Sequence, residues 1–471
     1  MTDRHRPAVP ILRFLGATET VTGSRFLLDT PRARVLVDCG LFQGLKALRL
    51  RNWDPFPIDP ASIDAVVLTH AHVDHSGYLP ALRRDGFRGA VFCTEGTEAL
   101  SRIVLPDSGR LQEEDATYAN RRGFSKHEPA LPLFTEEDAH RVLERFKAIP
   151  FGAPIEVAPE TRAVFAPAGH ILGSASVLLS LDGPVPRRIV FSGDLGRRNH
   201  PIFNPPAPIP EADFVVTEST YGDRRHEDET EALLRFSEAI DRTAKRGGTV
   251  VIPSFAVDRT EVVLFHLRRM VRQNAVPRLP IYVDSPMASA ALRVYRDALS
   301  SGSPELRKRP PGDGDPFDPG RLTEVQSVEE SKAINAQRFP SIIISASGMA
   351  TGGRVLHHLA QRLPDHRNAV ILVGFQAEGT RGRLLAEGAR AVKMLGRYVP
   401  VRAEIVNIPA LSVHADRAEI LDWLRGAPRE PDAALVVHGE PGAAESLRQG
   451  IAGELGWTAA VPKYLEQVRL D

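Results

Sequence analysis

The residues Thr69-His70-Ala71-His72-Val73-Asp74-His75-Ser76-Gly77 follow directly on the apolar run Ala65-Val66-Val67-Leu68. Three histidines and an aspartate fall within six residues, where a buried strand gives way to a turn. His70 and His72 stand two apart, so at the end of an extended segment they leave on the same side and can bind one metal ion. Asp74 and His75 come after the strand and can face a second metal beside the first. A lone histidine suits a surface or core position, but this cluster reads as a metal site.

Further ligand-type residues stand at other strand ends. His170 lies in Ala166-Pro167-Ala168-Gly169-His170-Ile171-Leu172-Gly173-Ser174-Ala175, soon after the apolar Ala163-Val164-Phe165, and glycines let a backbone pack close behind a ligand. The run Arg188-Ile189-Val190-Phe191 delivers Ser192-Gly193-Asp194-Leu195-Gly196, a carboxylate between glycines that can bridge two cations. With the first cluster, His170 and Asp194 bring the count close to that of a dinuclear site. Ala433-Ala434-Leu435-Val436-Val437-His438-Gly439 repeats the pattern of His170. His414 precedes a helix from Arg417 to Arg425, and alone it reads more simply as a solvent-facing histidine at a helix start. Asp38, before Gly40, is placed to orient a ligand histidine rather than to bind metal, with a turn-forming aspartate as the alternative.

The chain that must position these residues has 471 of them, 42% hydrophobic and 25% charged, enough for two or three soluble domains. Lys+Arg and Asp+Glu both number 59, so no overall basic field draws it to nucleic acid or membrane, and a polyanion must be held by a local patch. Only Cys39 and Cys93 are present, which argues against a disulfide framework and fits a reducing compartment. Met1 to Pro10 is polar with no apolar region after it, and no apolar run is long enough to span a bilayer. A cytoplasmic protein is expected.

In order, Ile11 to Gly16, Ser24 to Asp29 and Arg34 to Gly40 read as an antiparallel meander. Pro80 to Asp85 reads as a short helix, Ala90 to Cys93 as a strand, and Thr97 to Val104 and Arg110 to Arg122 as two helices. A further helix is predicted over Thr135 to Lys147, with Thr135 as N-cap and acidic residues in the first turn. After the proline-rich Pro201 to Pro210 the rhythm changes. Short apolar runs at 214–217, 249–254, 281–285, 341–345 and 369–373 alternate with helical segments at 229–245, 260–273, 288–299 and 353–362. Strands buried on both faces between helices indicate a parallel α/β layer, so residues 207–385 are expected to be a separate, inserted α/β domain. Within it Ser301 to Gly320 reads as a surface loop. Beyond it Val392 to Leu395 and Val401 to Val406, joined through Gly396 to Pro400, are expected to return the chain to a β-layer.

Several strand ends of the inserted domain feed helix starts through small or basic residues. Ser254 to Thr260, containing Arg259, is one, and Ser345-Ala346-Ser347-Gly348-Met349-Ala350-Thr351-Gly352-Gly353-Arg354 is the clearest. Such turns expose backbone N–H groups at a positive helix end and suit phosphate, although ordinary α/β turn chemistry uses the same residues. Ser254, Arg259, Ser347 and Gly348 are therefore the substrate-binding candidates.

The order Asp38, His70-x-His72-x-Asp74-His75, His170, Asp194 resembles the metallo-β-lactamase superfamily. Glu218 in Thr217-Glu218-Ser219-Thr220-Tyr221-Gly222, His414 and His438 resemble motifs A, B and C of its β-CASP branch. That branch includes the endonuclease of pre-mRNA 3′-end processing, ribonuclease J and DNA-repair nucleases. The resemblance covers nearly the whole chain. It implies an α/β fold in which residues 1–206 and 386–471 form an αββα sandwich, 207–385 form the inserted parallel-sheet β-CASP domain, and the active site lies in a cleft between them. It also implies that His70, His72 and His170 hold one zinc, that Asp74, His75 and His438 hold the other, and that Asp194 bridges the two. Histidine at motif C resembles the RNA-acting members; the DNA-acting ones typically carry an aliphatic residue there. The chain runs only a short way past His438, without the further C-terminal domain typical of ribonuclease J, so that enzyme's processive, assembly-dependent behaviour is not expected.

The implied activity is a zinc-dependent ribonuclease giving 5′-phosphate and 3′-hydroxyl ends. Two Zn²⁺ activate water and neutralise charge in an in-line displacement. His414 paired with Glu218 serves as general acid, since a nearby carboxylate favours the imidazolium. Asp74, Asp194, Glu218 and His414 are thus the catalytic candidates. RNA is the implied partner, with a homo-oligomer left open. A small-molecule metallohydrolase of the thioesterase or lactonase kind would share the first cluster but has no need of the inserted domain. A non-catalytic RNA-binding subunit would have no need of the full ligand set.

Overall fold

The computed structural model describes residues 6–123, 127–183, 186–310, 312–337 and 339–471. The chain forms two compact units, Met1–Arg225 with His414–Asp471, and His226–Val413.

The first unit is built on two seven-stranded sheets. One runs in the order Gln467–Arg469, Ile11–Phe14, Phe26–Asp29, Arg34–Val37, Ala65–Val67, Ala90–Cys93 and Phe146–Ala148, so a strand from the end of the chain lies beside the first. The expected meander is present, with Ile11 opposite Asp29 and Phe26 opposite Val37. The other runs Ala459–Ala460, Ala433–Val436, Phe214–Thr217, Arg187–Phe191, Ala175–Leu181, Thr161–Pro167, Ile155–Ala158.

Side-chain alternation along the strands shows how the layers stack. Val35 and Val37 pack with Phe165, Val177, Ile189 and Phe191 in the core between the sheets. Leu36 and Val66 point the other way, onto Leu79, Leu82, Leu105 and Val142 of the helices covering the first sheet. Val190 and Val215 likewise meet Leu421 and Leu447 outside the second. Because successive strand residues face opposite sides, strands buried on both faces give the αββα sandwich.

The local readings differ at three places. The two helices predicted between Thr97 and Arg122 are one, Glu95–Arg122, which passes through Pro106 and ends at Gly123 with φ 63°. The helix predicted over Thr135 to Lys147 stops at Leu143, and Phe146–Ala148 instead joins the sheet edge. Its start is as expected: Thr135 and Asp138 form a capping box. Val401 to Val406 is not the hairpin partner of Val392 to Leu395. That partner is Arg397–Pro400, across a tight turn in which Leu395 and Gly396 have φ of 50° and 80°, the geometry two-residue hairpins favour.

The second unit carries six parallel strands in the order Leu322–Glu324, Ile281–Val283, Ser341–Ala346, Thr249–Ser254, Ala369–Val373, Glu404–Ile408. The domain boundaries move accordingly. Phe214–Thr217, read as the first strand of the insertion, pairs with Ile189–Phe191 and Ala433–Val436 in the first unit. Glu404–Ile408 pairs with Ala369–Val373 in the second, so the crossings fall near 225 and 414 rather than 207 and 385. A central sandwich strand and a doubly covered α/β strand are both short apolar runs, and only pairing separates them. Among the described residues, no helix is long and apolar enough to cross a membrane.

Candidate metal centre

The first sheet brings its ligands to the end of Ala65–Val67, which turns into the short helix Val73–Ser76. Asp38 lies beneath this turn. One carboxylate oxygen accepts the Thr69 N–H (2.8 Å), and the other accepts the Thr69 hydroxyl (2.8 Å) and contacts His75 Nδ1 at 2.7 Å. Asp38 thereby orients the His75 ring, leaving Nε2 to face the site. Gly40 allows the segment behind the cluster to come close, since a Cβ there would stand 1.6 Å from the Asp74 carbonyl oxygen.

The second sheet supplies the rest. The Ser174 hydroxyl accepts the N–H groups of His170 (3.0 Å) and Ile171 (3.2 Å), shaping the turn that carries His170. Asp194 follows Arg187–Phe191, and a Cβ at Gly196 would stand 1.8 Å from the Gly169 carbonyl oxygen, so the two turns are in direct contact. His438 lies two residues past Ala433–Val436, with φ of 50°, and donates its N–H to the Ala17 carbonyl (2.7 Å).

Together these turns make two adjoining groups. His72 Nδ1 lies 3.2 Å from both His70 Nε2 and His170 Nε2, and Asp194 Oδ2 lies 3.5 Å from those two Nε2 atoms. In the second group His75 Nε2 and His438 Nε2 are 3.2 Å apart, and His438 Nε2 is 3.6 Å from Asp74 Oδ2. Asp194 Oδ1 is 3.2 Å from His75 Nε2 and 3.5 Å from His438 Nδ1. One oxygen of the carboxylate therefore faces the first group, and the other faces His75 of the second group and the Nδ1 edge of the His438 ring.

A zinc ion fits this arrangement. Ligands at about 2.0–2.1 Å in a tetrahedron stand roughly 3.4 Å from one another, which is the spacing found in each group. Asp194 is 1% exposed, and neither of its oxygens takes a hydrogen bond of good geometry; a buried carboxylate of that kind calls for a cation.

The charges follow from the packing. Burial, reinforced by His75, holds His70 well below the ordinary histidine range, and burial brings His72 down to about 4. Burial also acts to lower His75, but the Asp194 and Asp38 carboxylates outweigh it and hold that imidazolium well above its ordinary value. Burial opposes ionisation of Asp194, and His438, His75 and His70 overcome it, leaving the carboxylate charged far below its usual range.

Glu218 and His414 stand beside these groups. Glu218 accepts the Leu195 N–H (2.6 Å) on one oxygen and the Thr220 N–H (3.3 Å) on the other. The Leu195 carbonyl accepts the Ala415 N–H (2.7 Å), and Gly196 bridges to His414. One residue after Asp194 thus holds both motifs. His414 Nδ1 is 3.4 Å from Glu218 Oε2 and 3.8 Å from Asp194 Oδ2, and its side chain is 15% exposed. Sequence reasoning missed the hydroxyls that set the rings: Thr220 Oγ1 is 3.2 Å from His438 Nδ1 and Thr69 Oγ1 is 3.1 Å from His70 Nδ1. Their only signal was adjacency to a ligand or motif residue.

The chain is similar to known families and proteins along most of its length. The model of a β-lactamase superfamily domain matches residues 33–254, that of a Beta-Casp domain 260–385, and that of a Zn-dependent metallo-hydrolase RNA specificity domain 398–462. Ribonuclease TTHA0252 of Thermus thermophilus is 40% identical over 90% of this chain and 92% of its own length. The chain belongs to the β-CASP branch of the metallo-β-lactamase superfamily. Transcription termination factor FttA of Methanocaldococcus jannaschii is 30% identical, over 97% of this chain and 71% of its own. An RNase J-like protein of the same organism is 30% identical over 91% and 92%. A crystal structure of a protein of unknown function from Enterococcus faecalis V583 shares the fold, with a TM-score of 0.50 at 14% identity over 98% of this chain and 100% of its own.

In the β-CASP domain the substrate-binding candidates gather at the carboxyl ends of neighbouring parallel strands, where open α/β sheets bind ligands. Ser254 stands opposite Ala346 in the sheet register, and a Cβ at Gly348 would stand 2.7 Å from the Phe255 ring. Ser347 Oγ is 2.8 Å from Thr351 Oγ1. Arg259, 4% exposed, has its guanidinium carbon about 3.1 Å from where a Cβ on Gly374 would lie. The Ser254 hydroxyl is fully buried and accepts from Thr260 at 3.4 Å, so it braces the turn rather than reaching the surface.

Proposed function

We propose that this β-CASP metallohydrolase is a dinuclear zinc ribonuclease that hydrolyses RNA phosphodiester bonds to leave 5′-phosphate and 3′-hydroxyl ends. The observation that carries the reading is the buried Asp194 carboxylate, with one oxygen 3.5 Å from His70 and His170 Nε2 and the other 3.2 Å from His75 Nε2. Kinship to a protein named as a ribonuclease, at 40% identity, supports RNA as the substrate. Two buried cysteines without a disulfide support a cytoplasmic setting.

His70, His72 and His170 would hold one ion, Asp74, His75 and His438 the other, with Asp194 shared. When bound, zinc supplies Lewis acidity toward the phosphate and a nucleophilic water at neutral pH. Asp38, Thr69 and Thr220 fix the ligand rings so that each presents the correct nitrogen. His414, turned to Glu218 through Nδ1, would deliver a proton to the departing 3′-oxygen. The Ser347-Gly348 turn, with Arg259 behind it, would hold a substrate phosphate.

End-labelled RNA incubated with zinc-loaded protein tests the reading. The expected fragments carry 5′-phosphates that a ligase can join to 3′-hydroxyls. Intact RNA, or fragments ending in cyclic phosphates, would overturn it.

A further inference from the structure

The second unit carries a local charge surplus that the metal site does not use. Between Arg381 and Arg402 stand six basic residues, Arg381, Arg383, Arg390, Lys393, Arg397 and Arg402, against the single acid Glu387, a surplus of five in a chain whose 59 basic and 59 acidic residues balance. Arg383 is paired with Glu387. Arg390, Lys393, Arg397 and Arg402 are exposed, and none makes an ion pair among the described residues.

Lys393 and Arg397 belong to the hairpin of Ala391–Met394 and Arg397–Pro400, with Arg390 just before it and Arg402 just after. Its strands alternate. Val392, Met394 and Val399 face inward and pack with Leu363, Leu385 and Ala403. On the outer face Lys393 stands directly opposite Tyr398. Tyr398 is 73% exposed, the most exposed large apolar side chain among the described residues, and Leu395 at the turn is 47% exposed. An aromatic face left open among unpaired cations is what a single nucleic-acid strand needs, phosphates on the cations and a base on the ring.

The hairpin is also fixed in place. Arg381 donates to the Lys393 carbonyl (2.7 Å) and to the Ala350 (3.3 Å) and Thr351 (3.0 Å) carbonyls. The Gly382 N–H donates to the Met349 carbonyl (3.0 Å). One arginine therefore joins the hairpin backbone to the glycine-rich turn that includes Ser347 and Gly348. A strand bound at that turn would find the Tyr398 face within the same unit.

We infer that this hairpin, with Tyr398 as stacking platform, Lys393 opposite it on the outer face and Arg397, exposed at the turn, as phosphate partners, binds a single-stranded segment of the RNA substrate. The inference rests on the ribonuclease reading above.

The test uses full-length zinc-loaded protein and a single-stranded phosphorothioate RNA that resists cleavage, with affinity read by fluorescence anisotropy across a salt series. Tyr398→Ala should weaken binding by about 5- to 100-fold and Tyr398→Phe should bind as wild type, since stacking and not the hydroxyl is involved. Lys393→Gln combined with Arg397→Gln should flatten the plot of log affinity against log salt by about 0.7 for each phosphate no longer neutralised. Zinc content and cleavage of bis(p-nitrophenyl) phosphate should stay as in wild type for all variants, which excludes misfolding. If wild type binds and cleaves RNA but neither variant changes affinity or slope, the hairpin assignment falls and the ribonuclease reading stands. If the variants instead change the oligomeric state in sedimentation, or polyglutamate binds as tightly as RNA, the face serves protein contacts and the assignment also falls. If wild type neither binds nor cleaves RNA, both readings fail.

Discussion

Replacing His414 by alanine removes an imidazole whose Nδ1 stands 3.4 Å from Glu218 Oε2 and 3.8 Å from Asp194 Oδ2. The second distance exceeds the 3.2–3.6 Å spacings within the two ligand groups, so zinc should remain. The backbone should hold as well, through the Ala415 N–H to Leu195 carbonyl bond of 2.7 Å. On the proposed reading, what is lost is the proton for the leaving oxygen, a contribution of about 10²- to 10⁴-fold, or roughly 2.7–5.4 kcal/mol at about 1.36 kcal/mol per tenfold. Single-turnover cleavage of labelled RNA should slow by that factor with little change in RNA affinity. A p-nitrophenyl phosphodiester, whose leaving group departs unprotonated, should recover most of the loss. If the variant loses a zinc ion, or both substrates slow equally, His414 is a ligand or a positioning residue and the proton comes from elsewhere.

Asp38→Asn should keep the fold but loosen the His75 ring, lowering zinc affinity by about 10- to 100-fold in a competitive chelator titration. Gly40→Ala should push against the Asp74 carbonyl, 1.6 Å from the new Cβ, and destabilise by about 1–3 kcal/mol or more in denaturant unfolding. For metal-free protein, denaturant midpoints should peak near pH 6.5, the ordinary histidine value. Below it His72, brought down to about 4, and His70, also lowered, stay neutral in the fold and take up protons only on unfolding. Stability should therefore fall with falling pH by up to about 1.4 kcal/mol per unit for each. Above it His75, held protonated by Asp194 and Asp38, contributes stability that is lost as pH rises through its raised value. A flat profile across this range would contradict these assignments.

Much of the site is legible in the chain because its chemistry is local. His70, His72, Asp74 and His75 lie within one turn of backbone, so spacing alone reports that they converge. The strands are legible where apolar runs are uninterrupted. Pairing is not, because Phe214–Thr217 looks the same in either sheet, and only its neighbours Ile189–Phe191 and Ala433–Val436 place it in the first unit. The hairpin turn escapes a sequence reading because Leu395 occupies a position at φ 50° where asparagine or aspartate would have announced it. Thr69 and Thr220 are invisible for another reason. A threonine beside a ligand is common, and only the 3.1 Å and 3.2 Å approaches to His70 and His438 give these two a purpose.

The proposed dinuclear centre would depend most on Asp194 being shared between two ions. Stepwise addition of zinc to metal-free protein, with RNA cleavage followed at each step, tests this directly. Wild type should bind about two ions per chain, with full activity only when the second is in place, and Asp194→Ala should bind fewer and cleave little. Full activity at one ion per chain, with stoichiometry unchanged in Asp194→Ala, would contradict the dinuclear centre.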